Sequence, residues 1–131
     1  MHNLWHLLDA VLVSNGLYDM CCGAAILGAP GHRLARLHAD VFGPPPCPLG
    51  RRLLAYWILT YAGPRLLAGL RGRDNPVLDL LCAHTYFMEG AAYHAERGRF
   101  GTTVAGGGAL FVTWASYALG AAAAARALLA V

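Results

Sequence analysis

Residues 53–93 read LLAYWILTYAGPRLLAGL, then RGRDNP, then VLDLLCAHTYFMEGAAY. Two apolar segments, 53–70 and 77–93, are joined by a short polar turn, and each carries ionisable residues well inside its apolar run. The first holds Arg65 directly behind Pro64. The second holds Asp79, His84 and Glu89, with Glu96 just beyond its end. A charge at the centre of a membrane-spanning helix costs ~2.5–3.5 kcal/mol on insertion scales, so such residues face protein or water rather than lipid. The stretch reads as a helical hairpin that turns its charges toward other helices.

The bulk composition points to the same solvent. Apolar residues make up 57% of the chain and charged residues 13%, about half the charged share of a soluble domain. The 131 residues allow one domain, and the basic excess is arginine alone, without lysine. Arginines scattered in pairs do not make the dense basic stripe of a nucleic-acid interface. They fit loop charges that orient a membrane protein.

Working outward, residues 4–27 form a first span, long enough to cross ~30 Å of hydrocarbon. The stretch lacks a basic leader, is too long for the apolar region of a cleaved signal, and carries Asp9, Asn15 and Asp19. Pro30-Gly31 is expected to end it, and the prolines at 44–46 and 48 to forbid a new helix before Gly50. Between these breaks Leu34, Leu37, Val41 and Phe42 recur at helical spacing, which predicts a short amphipathic interfacial helix. A fourth span is expected over 102–120, with Gly106, Gly107 and Gly108 inside it as close-packing residues. The predicted fold is an all-α, integral membrane four-helix bundle in a single domain, with spans at 4–27, 53–70, 77–93 and 102–120.

Arginines in the first and third loops (Arg33, Arg36, Arg51, Arg52, Arg97, Arg99) outnumber Arg71, Arg73 and Arg126 on the other side. This places those two loops together on the cytosolic side or its equivalent, with both termini opposite. Trp5, Trp57, Tyr93 and Phe100 fall near span ends, where aromatic belts sit.

Thr85, Glu89, Ala92 and Glu96 share one face of the third span, and Trp57, Tyr61 and Arg65 are stacked on the second. Counting along the hairpin puts Arg65 level with Ala83 or His84. Arg65 is therefore expected to pair with Glu89 or with Asp19 of the first span. Either the pair fixes the bundle or it forms a proton or anion site, and the structural role is the simpler expectation, because an intramembrane charge needs a partner whatever its job. His6 and His84 are the candidates for a haem or pigment ligand, but no span carries histidines four apart, and no cofactor is expected. Cys21, Cys22, Cys47 and Cys82 show no metal spacing. Ser14 and Ser116 are the sole serines and neither sits in a nucleophile elbow.

The order Arg52-x4-Trp57-x7-Arg65, Asn75-x2-Leu78-x6-Thr85-Tyr86 and Glu96-x4-Gly101-Thr102 resembles the ergosterol biosynthetic protein 28 family of small four-span membrane proteins, over roughly residues 50–119. His94 is shifted from the family's histidine, and the turn before Asn75 is one residue longer. The resemblance implies a non-catalytic scaffold that tethers sterol-biosynthesis enzymes on the endoplasmic reticulum membrane. It also implies that Trp57, Arg65, Asn75, Thr85, Glu96 and Thr102 build the shared architecture. Expected partners are other integral membrane proteins and lipids, with no nucleic acid. The alternative is a supernumerary subunit of a respiratory or photosynthetic complex in an organellar inner or thylakoid membrane. A third is a lipid- or sterol-modifying enzyme using Glu89 and His84 as acid and base.

Overall fold

The computed structural model describes residues 2–29, 47–103 and 107–129. Every regular element among them is helical: α1 (His2–Ile26), α2 (Pro48–Arg71), a 3-10 turn (Gly72–Asp74), α3 (Pro76–Ala95), a π-helical turn (Glu96–Phe100) and α4 (Gly108–Leu129). The interfacial helix expected around Leu34 to Phe42 lies outside the described residues.

Helix boundaries follow local chemistry. α1 runs into Gly28, whose φ of 113° lets the Ala29 N–H reach back to Ala24 O at 3.0 Å, so the helix ends at Ile26, four residues before Pro30. α2 opens at Pro48, earlier than the proline run suggested. Proline at a first helical position forgoes an N–H that has no partner there anyway, and Cys47 Sγ caps the turn by accepting from Gly50 N at 3.3 Å. α2 then continues through Pro64. Asn75 caps α3, its Oδ1 accepting from Val77 N at 3.1 Å, again with proline next in line.

The fourth helix is displaced from its expected span. It starts at Gly108 and runs to Leu129, so Gly107 precedes it with open space around its Cα. Glycine is a poor helix interior residue, and the alanine-rich stretch 121–127 supplies the helix instead.

Successive helices pack antiparallel, and glycines set how closely. A Cβ on Gly16 would lie 2.7 Å from Leu66 N, and one on Gly69 would lie 2.8 Å from Val13 N. These contacts bring the backbones of α1 and α2 together in the way small residues permit between membrane helices. Gly90 against Tyr117 and Gly120 against Phe87 do the same for α3 and α4. Between the pairs, Leu8, Leu12, Ala68, Cys82, Ala83, Tyr86 and Ala123 form one buried cluster. Cys22, Ile26, Ala55, Ile58 and Tyr61 form a second toward the far end.

Large apolar side chains dominate the outside, with His84 and Thr60 among the exposed polar exceptions. Leu7 and Leu17 on α1, Tyr56 and Leu67 on α2, Leu81 and Met88 on α3, and Phe111 and Trp114 on α4 are all exposed, while Asp19, Arg65, Asp79, Glu89 and Arg126 are buried. Two helical stretches among the described residues, Pro48–Asp74 and Gly108–Leu129, are long and apolar enough to cross a membrane.

Gly16→Ala is expected to lower thermal stability by about 1–3 kcal/mol, because its Cβ meets backbone that cannot rotate away. Gly63→Ala, with nothing within 4 Å of its Cβ, should be neutral or stabilising by up to about 1 kcal/mol. Thermal unfolding of the two purified variants compares them directly.

Candidate functional site

Arg65 sits at the centre of the bundle with 1% of its surface exposed. Its Nη1 donates to Asp19 Oδ2 on α1 at 2.8 Å and its Nη2 to Glu89 Oε2 on α3 at 2.8 Å. Nε donates to Thr85 Oγ1 at 3.2 Å, and Nη1 also reaches Asn15 Oδ1 at 3.5 Å. Both faces of the guanidinium are covered: its Cζ lies 4.1 Å from the Tyr61 ring centroid and 3.8 Å from that of Tyr86. The neighbours are fixed in turn. Tyr86 OH donates to Asn15 Oδ1 at 2.5 Å, Thr85 Oγ1 to Cys82 O at 2.8 Å, and Ser116 Oγ of α4 to Glu89 Oε2 at 2.7 Å. Arg65 thus joins α1, α2 and α3 directly, and α4 enters the same network through Ser116 and Glu89.

A second ionic network closes the end of the bundle that holds both termini and the α2–α3 turn. Arg126 of α4 grips Asp79 of α3 bidentately, Nε to Oδ2 at 2.7 Å and Nη2 to Oδ1 at 2.5 Å. It also donates to Asp9 of α1 and to Ala68 O of α2, the latter at 3.0 Å. Asp9 in turn pairs with Arg73, whose Nη2 stands 2.6 Å from Asp9 Oδ2 without its N–H directed at that oxygen. Gly72 packs directly on this pair; a Cβ there would overlap Asp79 Oδ1 and Arg126 Nη2. Arg126 is therefore an interior charge of α4. It differs from the exposed Arg71 and does not belong with the loop charges of that side.

A cavity of about 730 Å³ opens between α1, α3 and α4. Its walls are apolar, with Val11, Phe111, Val112 and Leu119 prominent. Asn15, Asp19, Tyr86, Glu89 and Ser116 bring the Arg65 centre to its surface.

The other residues singled out by sequence have separate places. Trp57 stacks on Tyr93 at 6.4 Å and meets the edge of Tyr61 at 5.5 Å. Tyr93 is therefore a buried core residue, not part of an interfacial belt, because its ring is taken up by the α2–α3 seam. Asn75 is the cap of α3. Glu96 and Thr102 staple the π-helical turn: Thr102 N donates to Glu96 O at 3.0 Å and its hydroxyl to the Glu96 carboxylate, with Gly101 at φ 65° completing the turn. His84 is exposed on the outer face of α3 while Glu89 points inward, so the two do not converge as an acid and a base. His6 is exposed near Arg73, 3.4 Å from its Nη1. Among the described residues no cluster of His, Cys, Asp and Glu has the makings of a metal site, and the four cysteines form no disulfide.

Sequence reasoning did not assign Ser116, Asn15, Tyr86 or Arg126 to a network. Each is a polar or ionisable residue within an apolar run, and that property is the signal that would have found them. No family model matches the chain, and comparison with the curated proteins and with the solved structures found no match.

Removing one member of a buried ion pair costs about 3–5 kcal/mol, because the partner is left charged and unpaired. Arg65→Leu should therefore sharply reduce accumulation of the protein. Arg65→Leu combined with Asp19→Asn and Glu89→Gln should recover much of it, as seen by immunoblot of the membrane fraction. Normal accumulation of Arg65→Leu alone would remove the structural role.

Proposed function

We propose that this chain is a four-span integral membrane protein acting as a non-enzymatic scaffold for other membrane proteins. The observation that carries the reading is the inverted distribution of polarity: large apolar side chains dominate the outer faces of all four helices, the charges within the spans (Asp19, Arg65, Asp79, Glu89, Arg126) are buried and paired, and the exposed charges Arg51, Arg52, Arg71, Asp74, Arg97 and Arg99 sit at helix ends and turns. Asp9 and Asp19 on α1 and Asp79 and Glu89 on α3 would each count against a span, yet these carboxylates meet Arg65, Arg73 and Arg126 rather than lipid. A charge so compensated no longer argues against a membrane.

The scaffold reading draws on two further supports. Most of the buried polar side chains among the described residues join one helix to another, and Glu89 and His84 lie on opposite faces of α3. The positions that carry the resemblance to the ergosterol biosynthetic protein 28 family also have structural work in this chain. Arg65 and Thr85 form the centre, Trp57 the aromatic seam, Asn75 a helix cap, and Glu96 with Thr102 the turn staple. By that resemblance the membrane is the endoplasmic reticulum. With Arg126 interior, the arginine bias of the first and third loops over the other side becomes stronger, which favours those loops on the cytosolic side.

Two measurements test this reading. On a background lacking Cys21, Cys22 and Cys82, the native Cys47 and a Gly98→Cys substitution should label with an impermeant thiol reagent from the same face of the membrane. Labelling from opposite faces would refute four spans. Purification in mild detergent should bring down discrete membrane enzymes of lipid synthesis. Recovery within a respiratory or photosynthetic complex would replace the scaffold by a supernumerary subunit.

A further inference from the structure

The two ionic networks differ in their charge balance. At the terminal end, Asp9 and Asp79 face Arg73 and Arg126, two charges of each sign. At the centre, Asp19 and Glu89 share the single guanidinium of Arg65. The other polar groups gathered there among the described residues are Asn15 and Tyr18 on α1, Tyr61 on α2, Thr85, Tyr86 and Tyr93 on α3 and Ser116 on α4, and none of them is a cation. With the acids ionised, the centre carries one negative charge in excess. Each carboxylate meets Arg65 through one oxygen, Oδ2 of Asp19 and Oε2 of Glu89, so the second oxygen of each stays outside the guanidinium fork.

The unbalanced network is also the one that borders the cavity, whose volume of about 730 Å³ is within the range of small-molecule sites, ~300–1,000 Å³. Apolar walls with a few convergent polar groups are the usual form of such a site. The sign of the excess charge selects the head group. A phosphate or carboxylate would add a second uncompensated negative charge in a low-dielectric setting. A neutral alcohol would leave the first one in place. A protonated amine removes it and donates hydrogen bonds to acceptor-only carboxylates.

We propose that the cavity binds a lipophilic amine, its protonated head seated between Asp19 and Glu89 and its apolar body lying along Val11, Phe111 and Leu119. The site goes beyond the scaffold reading and does not depend on it, since the cavity and the charge excess are there whatever the protein tethers.

The test uses the full chain in phosphatidylcholine nanodiscs with a diazirine-bearing dodecylamine as probe. Cross-links should map to α1 around Ser14 and to α4 between Phe111 and Leu119. Unlabelled dodecylamine should compete at least about tenfold better than dodecanol or dodecanoate. Ala115→Trp and Val112→Trp fill the cavity and leave the ionic centre intact, and whichever of them elutes as the parent protein should lose the cross-link. Equal competition by dodecanol or dodecanoate would overturn the proposal, as would cross-linking unaffected by a cavity-filling substitution. Failure of the scaffold reading would instead show in the co-purification result, which this experiment does not touch.

Discussion

A guanidinium taken out of water must be met at its edge and on its faces, and the bundle is arranged so that Arg65 is. Desolvating the ion costs several kcal/mol, returned only by well-placed partners. Here the partners come from every helix: Asp19 and Asn15 from α1, Tyr61 from α2 itself, Thr85, Tyr86 and Glu89 from α3, and Ser116 of α4 through Glu89. Sliding one helix by a turn would strand at least one of these groups. Register is therefore held by an ionic centre, while glycines such as Gly16 and Gly69 allow the backbone approach that packing requires.

The hairpin was the most legible part of the chain. Two apolar runs around a proline-marked turn fix antiparallel packing, and counting residues up each side set Arg65 near Ala83 or His84. The structure seats its Nε on Thr85, with Glu89 one turn further along and in reach of Nη2. The sequence left Asp19 and Glu89 as alternatives, whereas a planar fork with several donors engages both. The fourth helix begins later than expected because glycines expected to serve as close-packing residues inside the helix have a backbone preference that disfavours it, so that Gly107 stands outside. Arg126 is misplaced by sequence reading for another reason: near a chain end an arginine looks like a solvated charge, and only the three-dimensional arrangement brings Asp79 and Asp9 beside it.

The two networks divide the work of the fold. The balanced one ties the chain's two ends to the α2–α3 turn, and its packing on Gly72 leaves no room for a side chain there. The central one joins all four helices and sets two carboxylates against one guanidinium beside a cavity, a combination that costs stability, when both acids are ionised, unless something compensates it. Buried polar groups held against their own desolvation tend to mark places where a membrane protein does its work, and this centre is where binding and architecture meet.

The central claim is that four helices stand in lipid with their charges turned inward, and it is tested most directly by spin-label accessibility in reconstituted bilayers. Nitroxides placed one per helix at the exposed positions Leu17, Leu67, Leu81 and Trp114 should all collide more with oxygen than with a water-soluble nickel complex. A preference for the nickel complex at Leu17 or Leu81, with α2 and α4 alone in lipid, would contradict the account.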